Sequence, residues 1–269
     1  MILPSLIGIS LFYILPFFAS VYYAFTQGVS EVQFVGTANF QELMENAVFR
    51  QALSNTACFL LLAVPMLLLL ALFLSMIIVK RKFTWQQWAL LLPLVVPASS
   101  MAAGWQGLWG AGGFVNRLLG LEQVDFLRGE AAFPLLLVLY LLKNVGYISV
   151  ILTSAIRALP PEYQEYYWLN SNSEAGYARR VVLPLISPTM LFAGIVAVMH
   201  YFLLFRDTYM LYGNNPPAQL YMLQHFMNNN FYKLNYQRLG AAAFLTVLLL
   251  STLIIAVLLL QRRATRHVG

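Results

Sequence analysis

The chain has 269 residues, of which 60% are hydrophobic and 10% are charged, with a formal net charge of +6. This much apolar surface exceeds what one soluble core can bury, so the composition excludes an ordinary soluble domain and predicts an integral membrane protein. The Lys and Arg residues lie in short clusters beside apolar segments, which is typical of membrane topology signals and not of nucleic-acid binding.

Six apolar segments are long enough to cross a bilayer, because a membrane helix needs about 20 mostly apolar residues. They run approximately over residues 2–25, 52–79, 88–109, 132–156, 185–211 and 239–260. The first segment lacks a basic leader and a small-residue cleavage site, so we expect a retained span, with a cytoplasmic leader possible ahead of it. The segments predict an all-α, polytopic membrane protein in which residues 1–269 form a single transmembrane domain.

Positive charges fall in alternate connections between these segments. They are Lys80, Arg81, Lys82, Arg157, Arg179, Arg180, Arg262, Arg263 and Arg266. Because cytoplasmic loops are enriched in Lys and Arg, this pattern places both termini in the cytoplasm. The opposite loops carry most of the acidic residues, including Glu42, Glu122 and Asp125.

The outer loop after the first segment predicts a short surface helix. Apolar residues recur at helical spacing between Gln41 and Gln51, and Asn39 or Thr37 is placed to cap that helix. The next outer loop has a glycine cluster at residues 110–113, which favours a bend. A phosphate-binding loop is not indicated there, because no Lys-Ser or Lys-Thr pair follows the glycines.

The polar run between the fourth and fifth segments, residues 157–184, is the most informative part of the sequence. Leu159-Pro160-Pro161 ends the fourth segment, and a helix can restart at Pro161 because proline is tolerated in a first turn. After a break at residues 170–173, a second helical piece is predicted from Glu174 to Pro184, with Ser173 as its cap.

This run carries a row of aromatic rings: Tyr163, Tyr166, Tyr167 and Trp168. From the residues alone, two interpretations stay open. The two short helices either present a surface to a cytoplasmic partner or form an amphipathic hairpin whose rings lie among lipid headgroups.

The same run resembles the EAA loop of permease subunits from binding-protein-dependent ABC importers. Glu165 stands at the glutamate of that pattern, Val181 replaces its isoleucine, and Leu183-Pro184 match its final pair. Tyr166 and Tyr167 occupy the positions of two alanines, and Ser171 that of the glycine. The resemblance implies that an ATPase contacts this run, through Glu162, Tyr163, Glu165, Tyr166, Tyr167, Trp168 and Ser171.

A second stretch is similar to carbohydrate permeases of the maltose and glycerol-phosphate type. Residues 205–211, followed by Gly213 and Pro216, resemble the segment F-D-x-x-x-x-L-T-x-G-G-P of that family. The resemblance implies a type I ABC importer permease fold in a prokaryotic plasma membrane. It also implies four kinds of partner: a second homologous permease subunit, two cytoplasmic ATPase subunits, an extracellular or periplasmic solute-binding protein, and membrane lipid.

No cofactor is expected in this chain. It contains no Gly-Lys pair and therefore no Walker lysine, so ATP and Mg²⁺ are expected on the partner ATPases. We also expect no catalytic residue and no metal ligand.

Polar residues at membrane depth are candidates for the substrate path, because they are costly unless they face protein or water. On the fourth and fifth segments, residues of this kind share faces at helical spacing: Tyr140, Lys143, Asn144, Tyr147, His200 and Tyr201. The resemblance places sugar contacts on these helices. The alternatives are packing tyrosines, a hydrogen-bonded core histidine and a lysine that reaches the interface. For Arg206 and Asp207 we expect a structural ion pair with another loop.

Two other classes of membrane protein remain as alternatives. A membrane-embedded enzyme would show a motif such as His-Glu-x-x-His or Gly-x-Ser-x-Gly, and neither occurs. A secondary transporter driven by an ion gradient favours intramembrane carboxylates and repeated broken helices, and the sequence shows neither.

Overall fold

The computed structural model describes residues 3–28, 31–81, 86–121 and 123–265. Ile2 of the first predicted segment and the topology residues Lys82, Glu122 and Arg266 lie outside these ranges. At residues 86, 87, 253, 256, 257 and 260–265, which include Arg262 and Arg263, the backbone alone is described.

The described chain is almost entirely helical. Its elements, in order, are α1 (Leu3–Ile9), a π-helical turn (Ser10–Ile14), α2 (Leu15–Phe25), β1 (Thr26–Gln27), β2 (Gln33–Phe34), α3 (Ala38–Glu45), α4 (Ala47–Lys80), α5 (Gln86–Ala89), α6 (Leu92–Val95), α7 (Ala98–Trp109), α8 (Phe114–Leu119), α9 (Ala132–Arg157), α10 (Pro161–Asn170), α11 (Glu174–Tyr177), a second π-helical turn (Ala178–Val182), α12 (Leu183–Leu185), α13 (Ser187–Tyr212), a 3₁₀ turn (Ala218–Leu220), α14 (Leu223–Tyr232) and α15 (Tyr236–Thr265). The two strands form an antiparallel hairpin in which Thr26 lies opposite Phe34.

Four stretches of the described chain are long and apolar enough to cross a membrane: Leu3–Phe25, Ala47–Lys80, Ala132–Arg157 and Ser187–Tyr212. They correspond to the first, second, fourth and fifth predicted segments. The sixth segment falls within α15, whose backbone is helical from Tyr236 to Thr265.

The third predicted segment is not one continuous helix. Over residues 88–109 the chain forms the end of α5, then α6 and α7, with Val96 and Pro97 in extended conformations between the last two. Pro93 and Pro97 account for the breaks, because proline removes an amide donor and restricts the residue before it. The spacing of apolar residues could not show this.

Each π-helical turn ends two residues before a proline. The first ends at Ile14, ahead of Pro16, and the second at Val182, ahead of Pro184. A proline ring clashes with the carbonyl four residues earlier, and a π turn shifts the hydrogen-bond register at that point. The helical path therefore continues to Leu185, one residue beyond the end predicted at Pro184.

The chain folds into two compact units. The first combines residues 1–57 with 218–256, and the second combines 58–217 with 257–269. The first has an apolar core contributed by α2, α3, the start of α4, α14 and α15; its buried members are Ala24, Leu43, Phe49, Ala52, Leu223, Phe226, Ala241 and Ala242. That the chain acts as a single transmembrane domain stays a prediction.

The predicted surface helix of the first outer loop is divided. Its residues belong to α3 and the start of α4, and the Asn46 side chain caps α4 by accepting a hydrogen bond from the Phe49 amide at 3.0 Å. The capping prediction is corrected: Thr37 makes no side-chain cap, and the buried Asn39 amide donates to the carbonyls of Ala24 and Thr26 at 3.0 and 2.9 Å. Asn39 therefore joins α3 to the hairpin.

In the second unit, α13 packs against α9 and α7. Two close approaches fix α9 in place. The Ser75 hydroxyl of α4 donates to the carbonyl of Ser149 at 3.0 Å. At Gly146 a side chain would collide with the backbone carbonyl of Leu90, so glycine is required there for α9 to meet the α5–α6 turn. These two contacts join α9 to α4 and to the α5–α6 turn.

Candidate functional site

Residues 157–184, which we call the coupling loop after the role that the resemblance implies, form two short helices with a polar turn between them. Pro160 has an extended conformation and Pro161 opens α10, as predicted. On α10, Glu162, Tyr163, Glu165 and Tyr166 are exposed, and the Tyr166 side chain is 73% accessible. This outer side of α10 offers carboxylates and aromatic rings to whatever lies next to it.

Tyr167 points the other way. It is 8% exposed, and its hydroxyl donates to the carbonyl of Ser173 at 3.2 Å and accepts from the Ser171 hydroxyl at 3.0 Å. Its ring contacts those of Trp168 and Tyr177, with centroids 5.5 Å away in both cases. Tyr167, Trp168 and Ser171, predicted as ATPase contacts, thus hold α10 onto the rest of the loop.

The predicted cap of the second helical piece is confirmed. The Ser173 hydroxyl accepts a hydrogen bond from the Gly176 amide at 3.0 Å, which begins α11. A side chain at Gly176 would collide with the Tyr167 hydroxyl. Sequence reasoning missed Gly176, although a glycine three residues after a capping serine was a visible signal.

A cavity of about 460 Å³ lies behind α10, between the coupling loop and the carboxyl-terminal ends of α4 and α9. Lys80 at the end of α4 and Glu174 at the start of α11 form an ion pair of 2.6 Å beside it. Both side chains are more than half exposed. Partial burial raises the pKa of the Tyr177 phenol, which also lines this cavity. The Lys80–Glu174 pair joins residues 94 apart and had no sequence signal.

The predicted substrate-path residues all lie where α9 meets α13. We call this set the path face: Tyr140, Lys143, Asn144, Tyr147, His200 and Tyr201. Tyr140 and Tyr201 are fully buried, and both rings contact Phe59, with centroids 5.7 and 5.5 Å away. The Tyr140 hydroxyl donates to the carbonyl of Ala197 at 2.7 Å. Both tyrosines therefore pack in this conformation and have no surface for a solute.

His200 and Tyr147 form the accessible edge of the path face. Tyr147 is exposed and His200 is partly buried, and their ring centroids are 5.2 Å apart. The His200 Nδ1 atom lies 2.7 Å from the Asn144 Oδ1 atom. Asn144 is itself buried and donates from Nδ2 to the carbonyl of Tyr140 at 2.7 Å. The imidazole is therefore held by a chain of hydrogen bonds reaching back into the core.

Lys143 is paired with Asp207. Its ammonium lies 2.8 and 2.9 Å from the two carboxylate oxygens, and the side chains are 12% and 3% exposed. The expectation that Asp207 would pair with another loop is wrong, because its partner is on the neighbouring helix α9. Burial of both groups explains the pairing, since an isolated charge at this depth would be costly.

Within the described residues, no three His, Cys, Asp or Glu side chains are grouped closely enough to hold a metal ion. The two sites differ in the surfaces that they expose. The first is the polar outer side of α10, which is held by the rest of the coupling loop. The second is the pair of rings of Tyr147 and His200 at the edge of α9 and α13.

Comparison with known proteins identifies the family. Residues 113–269 match the family described as the binding-protein-dependent transport system inner membrane component. A probable ABC transporter permease protein of Pyrococcus horikoshii is 26% identical, covering 94% of this chain and 91% of the relative. A probable starch degradation products transport system permease protein of Thermoanaerobacterium thermosulfurigenes is 23% identical, covering 97% of this chain and 93% of the relative.

The fold agrees with that match. A chain of a bacterial ABC transporter involved in the import of the acidic polysaccharide alginate superposes with a TM-score of 0.80 and 21% identity, covering 98% of this chain and 94% of that one. A likeness of this size shows a shared importer permease fold. The family match covers more than half of the sequence, and the chain therefore belongs to the inner membrane components of binding-protein-dependent transport systems.

Proposed function

We propose that this chain is one of two permease subunits of an ATP-driven importer and forms half of the translocation path for a carbohydrate or a related solute. Names of similar proteins support the solute class, since one relative serves starch degradation products and the similar structure serves alginate. The exposed aromatic edge of the path face is also suited to a sugar, because aromatic rings pack against the apolar faces of sugar rings.

We further propose that the coupling loop transmits ATP-driven movement from cytoplasmic ATPase subunits. The observation that supports this proposal is that the two sides of α10 differ, one being exposed and the other bonded to the rest of the loop. Tyr163, Glu165 and Tyr166 face outward, while Tyr167 joins α10 to Ser171 and Ser173 through hydrogen bonds. A helix seated on such a base moves as a unit, which suits a mechanical contact between two proteins.

The proposed orientation places the coupling loop and both termini in the cytoplasm, following the distribution of Lys and Arg. Partners in this arrangement are a second permease subunit, two ATPase subunits that bind ATP and Mg²⁺, and a solute-binding protein on the outer side. Hydrolysis then takes place outside this chain. An ion-gradient mechanism is less well supported, because Asp207, the carboxylate within the described spans, is occupied by Lys143.

Co-purification tests the coupling proposal. The assembled importer is extracted in detergent through a tag on this chain, and the ATPase subunits that remain bound are quantified. Tyr166→Ala combined with Glu165→Ala should reduce the bound ATPase at least tenfold. Tyr232→Ala is the matched control, because Tyr232 is also an exposed tyrosine but lies on α14 in the other unit. It should leave the bound ATPase unchanged.

A crosslinking arm separates the coupling proposal from the membrane-surface alternative. A photoreactive amino acid at position 166 should link to the ATPase in native membranes. Links to phospholipid alone would show that α10 lies among headgroups and would refute the proposal. Uptake that survives ATP depletion but stops on proton-gradient collapse would favour a secondary transporter.

A further inference from the structure

Resting on the proposed function, we infer that this chain's half of the path recognises uncharged sugar hydroxyls, and that an acidic saccharide is not its cargo. Three observations on α9 and α13 carry the inference. They are the pairing of Lys143, the orientation of Asn144, and the hydrogen-bonding state that this orientation imposes on His200.

The first observation concerns charge. An unpaired ammonium at the path face would attract the carboxylate of a uronic acid. Here the Lys143 ammonium is held by both oxygens of Asp207, and neither side chain is more than 12% exposed. The pair has no net charge and its donors and acceptors face each other. The path face therefore presents no free cation from Lys143 to a solute.

Other cations of α9 and α13, as described, lie elsewhere on these helices. Arg157 is in the last turn of α9. Arg206 is six positions from His200, which places it about 120° around α13 at 3.6 residues per turn. Arg206 is thus turned away from the Tyr147–His200 edge, and Arg157 is separated from it by about 15 Å along α9 at 1.5 Å per residue.

The second observation fixes the Asn144 amide. Its nitrogen must face the carbonyl of Tyr140, 2.7 Å away, because a carbonyl oxygen accepts and cannot donate. The amide oxygen then faces His200 Nδ1 at 2.7 Å. An amide oxygen is also solely an acceptor, so Nδ1 must carry the hydrogen in this contact.

The third observation follows for the other ring nitrogen. In a neutral imidazole whose Nδ1 carries the hydrogen, Nε2 is an acceptor. A sugar hydroxyl can donate to it, whereas a carboxylate would meet a second acceptor. The exposed Tyr147 ring lies beside the imidazole and can pack against the apolar face of the same sugar. Tyr140 and Asn144 are positioning residues in this arrangement, since they act through His200.

Uptake of matched probes tests the inference. The assembled importer, with its solute-binding protein, is reconstituted in liposomes and loaded with ATP inside. Two panels of radiolabelled probes of equal length are compared: uncharged oligosaccharides of glucose, galactose, mannose and xylose, and oligogalacturonates. We expect ATP-dependent uptake of an uncharged probe and at least tenfold slower uptake of every oligogalacturonate. ATP-dependent uptake of an oligogalacturonate at an equal or higher rate overturns the inference, while the proposed import function stands. Absence of ATP-dependent uptake for every probe would count against both.

Variants examine the two parts of the argument separately. Asp207→Asn should expose the Lys143 charge and raise the ratio of acidic to uncharged uptake about tenfold, and adding Lys143→Met should return that ratio to the original value.

His200→Phe keeps the ring but removes the acceptor, and should raise KM for the uncharged probe about three- to tenfold. Asn144→Leu, which frees the ring, should raise KM with a smaller change in kcat. Met199→Ala is the control, because Met199 is exposed next to His200 on another side of α13. If Asp207→Asn leaves the ratio unchanged in protein that elutes as an intact complex, the charge argument is wrong. If His200→Phe behaves like Met199→Ala, the hydroxyl contact is wrong.

Discussion

The coupling loop and the path face both combine tyrosines with amides and charged groups, but these residues make different contacts in the two regions. In the coupling loop, water solvates the side chains that do not pack within the protein, and Glu165 and Tyr166 stay exposed. On the path face most polar groups are bonded within the protein: Tyr140 to the carbonyl of Ala197, Asn144 to His200, and Lys143 to Asp207. A polar residue at membrane depth is thus often explained by its neighbour, and its presence alone does not identify a solute contact.

The largest expected effect comes from breaking the buried ion pair. Lys143→Met leaves the Asp207 carboxylate buried without its partner, so the free energy of unfolding should fall by about 3–5 kcal/mol. Unfolding of the purified protein in detergent, followed by tryptophan fluorescence, measures the loss.

The control for this prediction replaces both members of the pair. Lys143→Met with Asp207→Leu removes the charges together, and most of the lost stability should return, because no uncompensated charge remains. A double variant as unstable as Lys143→Met alone would mean that packing at this site matters more than charge.

The path face also shows how far sequence reasoning reached. Spacing of 3.6 residues brought Tyr140, Lys143 and Tyr147 to one side of α9, and the structure places all six predicted residues at the α9–α13 contact. Spacing gave no information on depth within the helix pair. Tyr140 and Tyr147 lie on the same side of α9, but the first is fully buried and the second is exposed.

The coupling loop has the same limit. Composition and proline positions predicted both of its helices and the Ser173 cap, which depend on local sequence. The opposite orientations of Tyr166 and Tyr167 depend on Ser171, Ser173 and Gly176, and on the register of α10 over α11. The broken third segment belongs to the same class of error, since an apolar window gives no weight to two prolines four residues apart.

A buried histidine outside the spans tests whether burial alone can shift the pKa of a side chain. His225 on α14 is buried, and its Nδ1 accepts the Met222 amide at 3.5 Å. Burial lowers the pKa of His225 from 6.5 to about 4. The unfolded chain therefore binds a proton between pH 6.5 and about 4 while the folded chain does not. The free energy of unfolding should have its full value above pH 6.5, and it should fall by up to about 3 kcal/mol as the pH approaches 4.

Unfolding in detergent at a series of pH values measures this dependence. His225→Gln is the control, because glutamine does not titrate, and its stability should change less between pH 6.5 and 4. Equal slopes for the two proteins would show that other groups cause the dependence.

Gly176→Ala tests the base of the coupling loop. The added methyl group would collide with the Tyr167 hydroxyl, so overpacking should cost about 1–3 kcal/mol and displace α10. The amount of bound ATPase should fall as well. Tyr167→Phe removes the hydroxyl, and in combination with Gly176→Ala it should restore part of the bound ATPase. If the double variant loses as much bound ATPase as the two single variants together, the Tyr167 hydroxyl is not what the added methyl group collides with.

The smallest expected effect concerns the second ion pair, and it is the counterpart of the first. Lys80 and Glu174 are as close as Lys143 and Asp207, but their side chains are 66% and 54% exposed. Water and salt screen such a pair, and each group is solvated when the other is removed. Lys80→Met should therefore lower stability by less than about 1 kcal/mol, with the difference vanishing in 1 M salt. A loss near that of Lys143→Met would show that the pair is shielded in the assembled protein, and that the contrast between the coupling loop and the path face is smaller than their exposure indicates.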